Sequence, residues 1–221
     1  MNILLIGPQG SGKGTQAEKL VDRFHLAYVS MGDILRNLKG KDTPLAQKAT
    51  EYVEKGILVP DEITIEVLNE YLANIGKLDG IVFDGFPRVV SQARYFENFL
   101  EKQGKKIDVV FFLSLTKEEI LKRLAGRRIC EKCGRVYNLL TDPPQKEGIC
   151  DKCREKLVGR SDETPEVIET RLNEFWTKTK PLVEYYRERG ILEEIDGNRP
   201  IEVIFEDIVE RLKKRGLIKD V

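Results

Sequence analysis

A doubly wound α/β fold on a parallel sheet is expected from this sequence, and three observations predict it. Short apolar runs recur along the chain, segments with helical spacing separate them, and the first run ends in a glycine-rich loop that opens a helix. The first run, 3–6, is unbroken by polar residues, as a strand covered on both faces would be. Runs of the same kind lie at 26–30, 80–84, 109–115 and 191–196, so five strands are expected.

The segments between them read as helices. In 13–24, Ala17, Leu20, Val21 and Phe24 share one face. Further helices are expected at 89–100 and 117–124. Thr116 is the expected N-cap of the latter, with Glu119 as its capping-box partner. Thr164-Pro165 opens a long helix, Thr capping it and Pro at its first position. Two segments break the alternation and read as inserts. One, 31–59, carries only helical or loop patterns; the other, 128–159, carries all four cysteines and the Pro143-Pro144 pair. Three features have bland readings. His25, the one histidine, is a surface residue at a helix end. Trp176, beside Phe175, is packing. Lys213-Lys214-Arg215 is a solvated helix end.

The chain has 221 residues, with 37 Lys+Arg against 37 Asp+Glu. A zero net charge excludes a polybasic nucleic-acid or membrane binder. The 41% of hydrophobic residues argues against disorder and for a real core. No run of roughly 18 apolar residues exists, so no transmembrane helix is expected. The apolar stretch at the N-terminus is too short for a signal peptide, which makes the expected compartment cytoplasmic.

Gly7-Pro8-Gln9-Gly10-Ser11-Gly12-Lys13 matches G-x-x-x-x-G-K between a strand and a helix. Glycines let backbone N–H groups turn around phosphate oxygens, and the helix N-terminus adds partial positive charge. Lys13 reaches the terminal phosphates as a point charge. The residue after this lysine is usually Ser or Thr, which ligates Mg²⁺; here it is Gly14, then Thr15. Magnesium is therefore expected through waters held by Asp84, whose alternative role is to cap the turn after its strand.

Cys130, Cys133, Cys150 and Cys153 form C-x₂-C-x₁₆-C-x₂-C, the spacing of a tetrahedral structural zinc site. Gly134 suits the tight turn after the first pair, and Arg154 takes the matching place after the second. A disulfide pair and a redox motif are the alternatives, the first disfavoured in the cytosol and the second by the lack of a strand-to-helix context. Four ligands leave a metal coordinatively closed, hence structural, in an insert too small for its own core. The insert lacks the basic, aromatic face that nucleic-acid binding needs.

Further stretches carry a resemblance. They are Gly12-Lys13-Gly14-Thr15-Gln16, Gly32-Asp33-Ile34-Leu35-Arg36, Leu58-Val59-Pro60-Asp61-Glu62 and Asp84-Gly85-Phe86-Pro87-Arg88 with Gln92. Arg123-Leu124-Ala125-Gly126-Arg127-Arg128 and Arg160-Ser161-Asp162-Glu163 with Arg171 complete the set. The sequence is similar along essentially its whole length to the nucleoside monophosphate kinase family, and to its adenylate kinase branch in particular. The resemblance implies a P-loop NTPase-like parallel five-stranded sheet flanked by helices, with a helical acceptor-binding insert and a small zinc-ribbon-like lid. Residues 1–30, 60–126 and 161–221 would form the core, 31–59 the NMP-binding insert and 127–160 the lid.

The implied reaction is ATP + AMP ⇌ 2 ADP with Mg²⁺, on small nucleotides only, by a cytoplasmic monomer without nucleic acid or membrane partners. Another acceptor (UMP/CMP or GMP) and, more remotely, a nucleotide-regulated zinc-ribbon binding protein are the rival readings. By resemblance Lys13, Arg88, Arg123, Arg160 and Arg171 are catalytic. Gly10, Ser11, Gly12, Lys13, Gly14, Thr15, Arg123, Arg127, Val136, Tyr137 and Arg199 would hold ATP. Met31, Arg36, Ile57, Leu58, Val59, Gly85, Phe86, Pro87, Arg88, Gln92, Arg160 and Arg171 would hold AMP. Two positions depart from the family pattern: Met31 stands where Thr is usual beside the acceptor base, and Asn138 where His is common. Lys13 and the arginines are expected to converge on one cleft, with acidic residues spread over the outer helix faces.

Overall fold

A computed structural model describes residues 1–160 and 162–219. Ser161 of the Arg160–Glu163 motif, and Asp220 and Val221 of the expected core, lie outside the described residues. Five strands form one parallel sheet: β1 Asn2–Ile6, β2 Ala27–Ser30, β3 Ile81–Asp84, β4 Val109–Ser114 and, near the C-terminus, β8 Leu192–Asp196. Their order is β2-β3-β1-β4-β8. Leu4 of β1 sits in register with Phe83 on one side and Val110 on the other. From β1 the chain crosses to β2 at one edge, returns to β3, and then passes over β1 to β4 on its other side, so the carboxyl ends of these strands open the crevice where ligands bind in sheets of this kind.

Each β1 side chain is buried, and the period of two sends neighbours to opposite faces. Leu4 and Ile6 join Phe83, Val110 and Phe112 in the larger apolar cluster, with helices α2 Met31–Arg36, α4 Asp61–Ile75, α5 Val90–Lys102 and α8 Lys180–Glu188 against it. Ile3 and Leu5 join Val82, Phe111 and Ile195 on the other face, under α1 Lys13–Phe24 and α9 Ile201–Lys214.

The two expected inserts differ in how they meet the core. The first holds α2 and α3 Pro44–Lys55, each with the cap its sequence calls for: Ser30 Oγ accepts from Asp33 N–H and Thr43 Oγ1 from Ala46 N–H. Its apolar side chains, Met31, Leu35 and Ala49, belong to the larger cluster. The second insert follows α6 Lys117–Ala125 and folds as an antiparallel sheet, β5 Arg127–Cys130, β6 Val136–Asn138 and β7 Leu157–Val158, in the order β6-β5-β7.

Three expectations need correction. Thr116 caps α6 by accepting from Glu119 N–H at 3.3 Å, but the Glu119 carboxylate turns to Arg123 Nε at 2.9 Å instead of closing the box. The long helix is interrupted: α7 Pro165–Glu174 runs into a π-helical turn, Phe175–Thr179, before α8. Pro181 has no N–H for the residue 177 carbonyl and its ring crowds that oxygen, so the wider turn falls where the ladder must open. Trp176 is 39% exposed, set edge-on to Phe175 with Lys180 Nζ 5.3 Å from its ring centroid. It caps the core more than it fills it. His25 is exposed and ends α1 in a left-handed conformation, as a surface residue does.

Candidate functional site

The glycine-rich loop leaves the buried end of β1 and enters α1 through Gly12, whose φ of 91° belongs to the left-handed region that favours glycine. No side chain caps α1, so its first N–H groups face the loop's concavity. Lys13 Nζ folds back onto Gly7 O at 2.8 Å and Pro8 O at 2.9 Å. Burial lowers its pKa to about 8; Asp84 opposes that shift, while Arg88 and Arg127 add to it. Asp84, at the end of β3, accepts from the Tyr28 hydroxyl at 3.1 Å.

Two cavities flank this loop. The first is lined by Lys13, Met31, Arg36, Ile57, Leu58, Val59, Gly85, Pro87, Arg88, Gln92, Arg127, Arg160 and Arg171. The second is lined by Gly10, Ser11, Gly12, Thr15, Arg123, Arg127, Val136, Tyr137 and Arg199. Arg127 lines both. Sequence-predicted residues outside these linings are Phe86, Gly14 and Asp84. Phe86 is a correction. Its ring is 3% exposed and packs at 5.3 Å from Phe96, in the same cluster as Phe83, because the strand ends at Asp84 and the chain turns at Gly85, whose φ is 75°. Met31 is 2% exposed and serves the core and the first cavity together.

The arginines are not bare, contrary to the expectation that acidic groups lie only on outer faces. Arg160 grips Asp162 bidentately, at 3.0 and 2.9 Å, and Arg171 reaches the same carboxylate at 2.8 Å. Burial works against the Asp162 charge, yet the bonds and charges of Arg160 and Arg171 hold its carboxyl well below the usual range. Arg127 pairs with Glu163 at 2.5 Å, and Arg36 with Asp33. Arg88 differs. Its Nε donates to Gly85 O at 2.9 Å, while among the described residues its terminal nitrogens have no hydrogen-bond partner. Burial depresses its pKa. A partly buried cation with open donors is prepared for an anion from outside.

Asp162 and Glu163, noticed in the sequence only as motif letters, pair with cavity arginines, and Glu163 and the unanticipated Thr64 line the first cavity. The first two flank arginines in the chain, which was a usable signal. Asn138 ties the second insert to α6: its Nδ2 donates to Arg123 O at 2.7 Å and its Oδ1 accepts from Leu140 N–H at 2.9 Å.

The four cysteine sulfurs lie within 4.8 Å of one another. Cys130–Cys153 and Cys133–Cys150 sulfurs are 3.2 and 3.7 Å apart, and all four cysteines are free. A tetrahedral ion with 2.3 Å bonds to sulfur needs edges of about 3.8 Å, so the cluster fits zinc with little movement. The two knuckles match. Gly134 N–H donates to Cys130 O at 2.8 Å and Arg154 N–H to Cys150 O at 2.9 Å, both from left-handed backbone. Tyr137 is buried against them. Its hydroxyl lies 3.4 Å from Cys150 Sγ and accepts from Asp151 N–H at 2.8 Å. Burial raises the Cys150 thiol, but bonds from Tyr137 and backbone N–H groups outweigh it and bring its pKa to about 6, while bonds to the neighbouring sulfurs, Cys130 first, push Cys153 up to about 12.

Comparison with known proteins agrees with this geometry. The family model described as adenylate kinase matches residues 5–191. The adenylate kinase of Thermoanaerobacter sp. (strain X514) is 41% identical over 216 residues, covering 98% of this chain and 100% of its own. That of Geobacillus sp. (strain WCH70) is 43% identical over 212 residues, covering 96% and 98%. That of Desulforamulus reducens is 42% identical over 213 residues, covering 96% and 100%. With the phosphate loop, the cavity arginines and these relatives in agreement, the chain belongs to the adenylate kinase family.

Proposed function

We propose that this chain catalyses ATP + AMP ⇌ 2 ADP, with ATP in the cavity of Gly10–Thr15 and AMP in the cavity of Met31 and Gln92. The observation that carries the reading is one cavity lined by Lys13, Arg36, Arg88, Arg127, Arg160 and Arg171 beside an uncapped phosphate loop. Two nucleotides bring about six negative charges to a loose transition state, and positioning and charge neutralisation are most of the catalysis. Arg88, with its open donors, meets the acceptor phosphate. Arg160 and Arg171 exchange Asp162 for the transferring phosphoryl oxygens, and Arg127 exchanges Glu163. No general base is needed, because an AMP phosphate oxygen is already an anionic nucleophile.

Residues 31–59 act as the acceptor arm and 127–160 as the donor lid, closing on the core formed by 1–30, 60–126 and 161–221. Closure excludes water that would hydrolyse ATP. Asp84, through waters, would hold Mg²⁺, which when bound neutralises phosphate oxygens. Cys130, Cys133, Cys150 and Cys153 would hold a structural Zn²⁺ that keeps the lid folded. On this reading the enzyme is a cytoplasmic monomer, and its zero net charge gives no polybasic surface for a nucleic acid or membrane partner. No helix among the described residues is long and apolar enough to cross a membrane.

The test offers Mg-ATP with AMP, CMP, UMP and GMP in turn and measures ADP. Rapid turnover with AMP alone is expected. Preference for CMP, UMP or GMP would reassign the acceptor, and no acceptor-dependent turnover would remove the kinase reading.

A further inference from the structure

Gln92 is 2% exposed and reaches the acceptor cavity from the first turn of α5. Its amide makes two bonds of opposite polarity. Oε1 accepts from Arg88 N–H at 2.8 Å, and Nε2 donates to Asp61 Oδ1 at 2.8 Å. A backbone N–H only donates and a carboxylate only accepts. Turning the amide over would set N–H against N–H and oxygen against carboxylate. Its orientation is therefore fixed by its partners. Asp61 is itself held, since Oδ2 accepts from Ser91 Oγ at 2.5 Å, and it lies in the first turn of α4, where negative charge is favoured.

Adenine and guanine present the same two edge positions with reversed polarity. Adenine donates from its 6-amino group and accepts at N1; guanine accepts at O6 and donates from N1. A glutamine free to turn over satisfies either base, whereas a locked one satisfies a single polarity. We propose that Asp61 is a specificity-determining residue of the acceptor site, selecting adenine against guanine by locking the amide of Gln92. This rests on reading that cavity as the AMP site. Asp61 is outside the cavity lining and acts through Gln92, as a positioning residue.

Asp61→Asn replaces an acceptor-only group by one that can present either polarity, at nearly constant volume. The measurement is kcat/KM for AMP and for GMP in both proteins, with thermal unfolding as the check on folding. The preference for AMP over GMP should fall by about tenfold or more, through a raised KM for AMP and a gain with GMP, because a mispaired buried polar group is costly. A merely structural residue would lower both activities together and leave the ratio alone. If folded Asp61→Asn keeps the wild-type ratio while the wild type turns over AMP, this inference is overturned and the proposed function stands. If the wild type has no AMP-dependent turnover, both fall. Should Asp61→Asn not fold, Ser91→Ala frees the carboxylate from its outer side. A smaller fall of the same sign supports the lock, and an unchanged ratio overturns it.

Discussion

The sheet core and the cysteine-bearing insert are held together in different ways. Around the sheet, two apolar clusters cover both faces, and side chains such as Phe83, Phe96 and Phe111 are fully buried. In the insert the buried cluster is Cys130, Tyr137, Cys150 and Leu157, with Cys133 and Cys153 against it. Burial scales with area, and so small a cluster cannot offset the ordering of some thirty residues. On the proposed reading, a metal at the four thiols would supply what the apolar area does not. The contrast has a functional side. Lys13, Arg88 and Arg171 are carried by the core, whereas Arg127 and Arg160 stand at the two ends of the insert. On that reading, charge in the cleft is assembled from one region stable by itself and one that would depend on an ion.

The largest effect that would sharpen this contrast lies in the core. Phe111→Ala removes a ring that is 0% exposed, and should lower unfolding free energy by about 3–5 kcal/mol in denaturant melts with metal bound. A loss under 1 kcal/mol would mean that the sheet does not carry stability as described.

Next is Arg88→Ala, on the core side of the cleft. It should lower kcat/KM by about 10²–10³-fold, or roughly 3–4 kcal/mol of transition-state stabilisation, with little change in melting temperature. An unchanged rate would remove Arg88 from the chemistry.

A third prediction concerns pH. The folded pKa of Lys13 is about 8, below its ordinary 10.5, so the unfolded chain binds more protons between those values. Ligand-free stability therefore gains a rising contribution from Lys13 between pH 8 and 10.5. ATP affinity should fall across the same window as the charge is lost. Lys13→Met should flatten both profiles.

The smallest expected effect is in the insert. Arg154 holds φ 61°, where its twin Gly134 holds 73° without a β-carbon to crowd. Arg154→Gly should stabilise the metal-bound insert by about 0.5–1 kcal/mol, the left-handed strain outweighing the glycine's unfolded-state entropy. A loss of stability would show that the Arg154 side chain does more than occupy the turn.

These regions also differ in how much their sequence disclosed. The inner strands β1, β3 and β4 were legible because both faces are covered, which leaves unbroken apolar runs, while the edge strands β2 and β8 are only partly buried and gave shorter or mixed runs; the phosphate loop was legible because its glycines and lysine obey backbone geometry. Cysteine spacing disclosed the cluster for the same reason. The strands of the insert were not legible. At two to four residues they are too short for a period, and their order depends on the cluster. Asp162 and Glu163 were read as motif letters, and their pairing with Arg160, Arg171 and Arg127 is a tertiary fact. The same holds for the Tyr137 hydroxyl, turned to Cys150, and for Phe86, which the turn at Gly85 sends into the core.

The central contrast is tested most directly by hydrogen exchange on the protein before and after verified metal removal. The account predicts that the amides of Cys130, Cys150 and Leu157 lose protection while those of β1, β3 and β4 keep theirs. Insert amides that stay protected without metal would contradict it, as would a sheet that opens along with the insert.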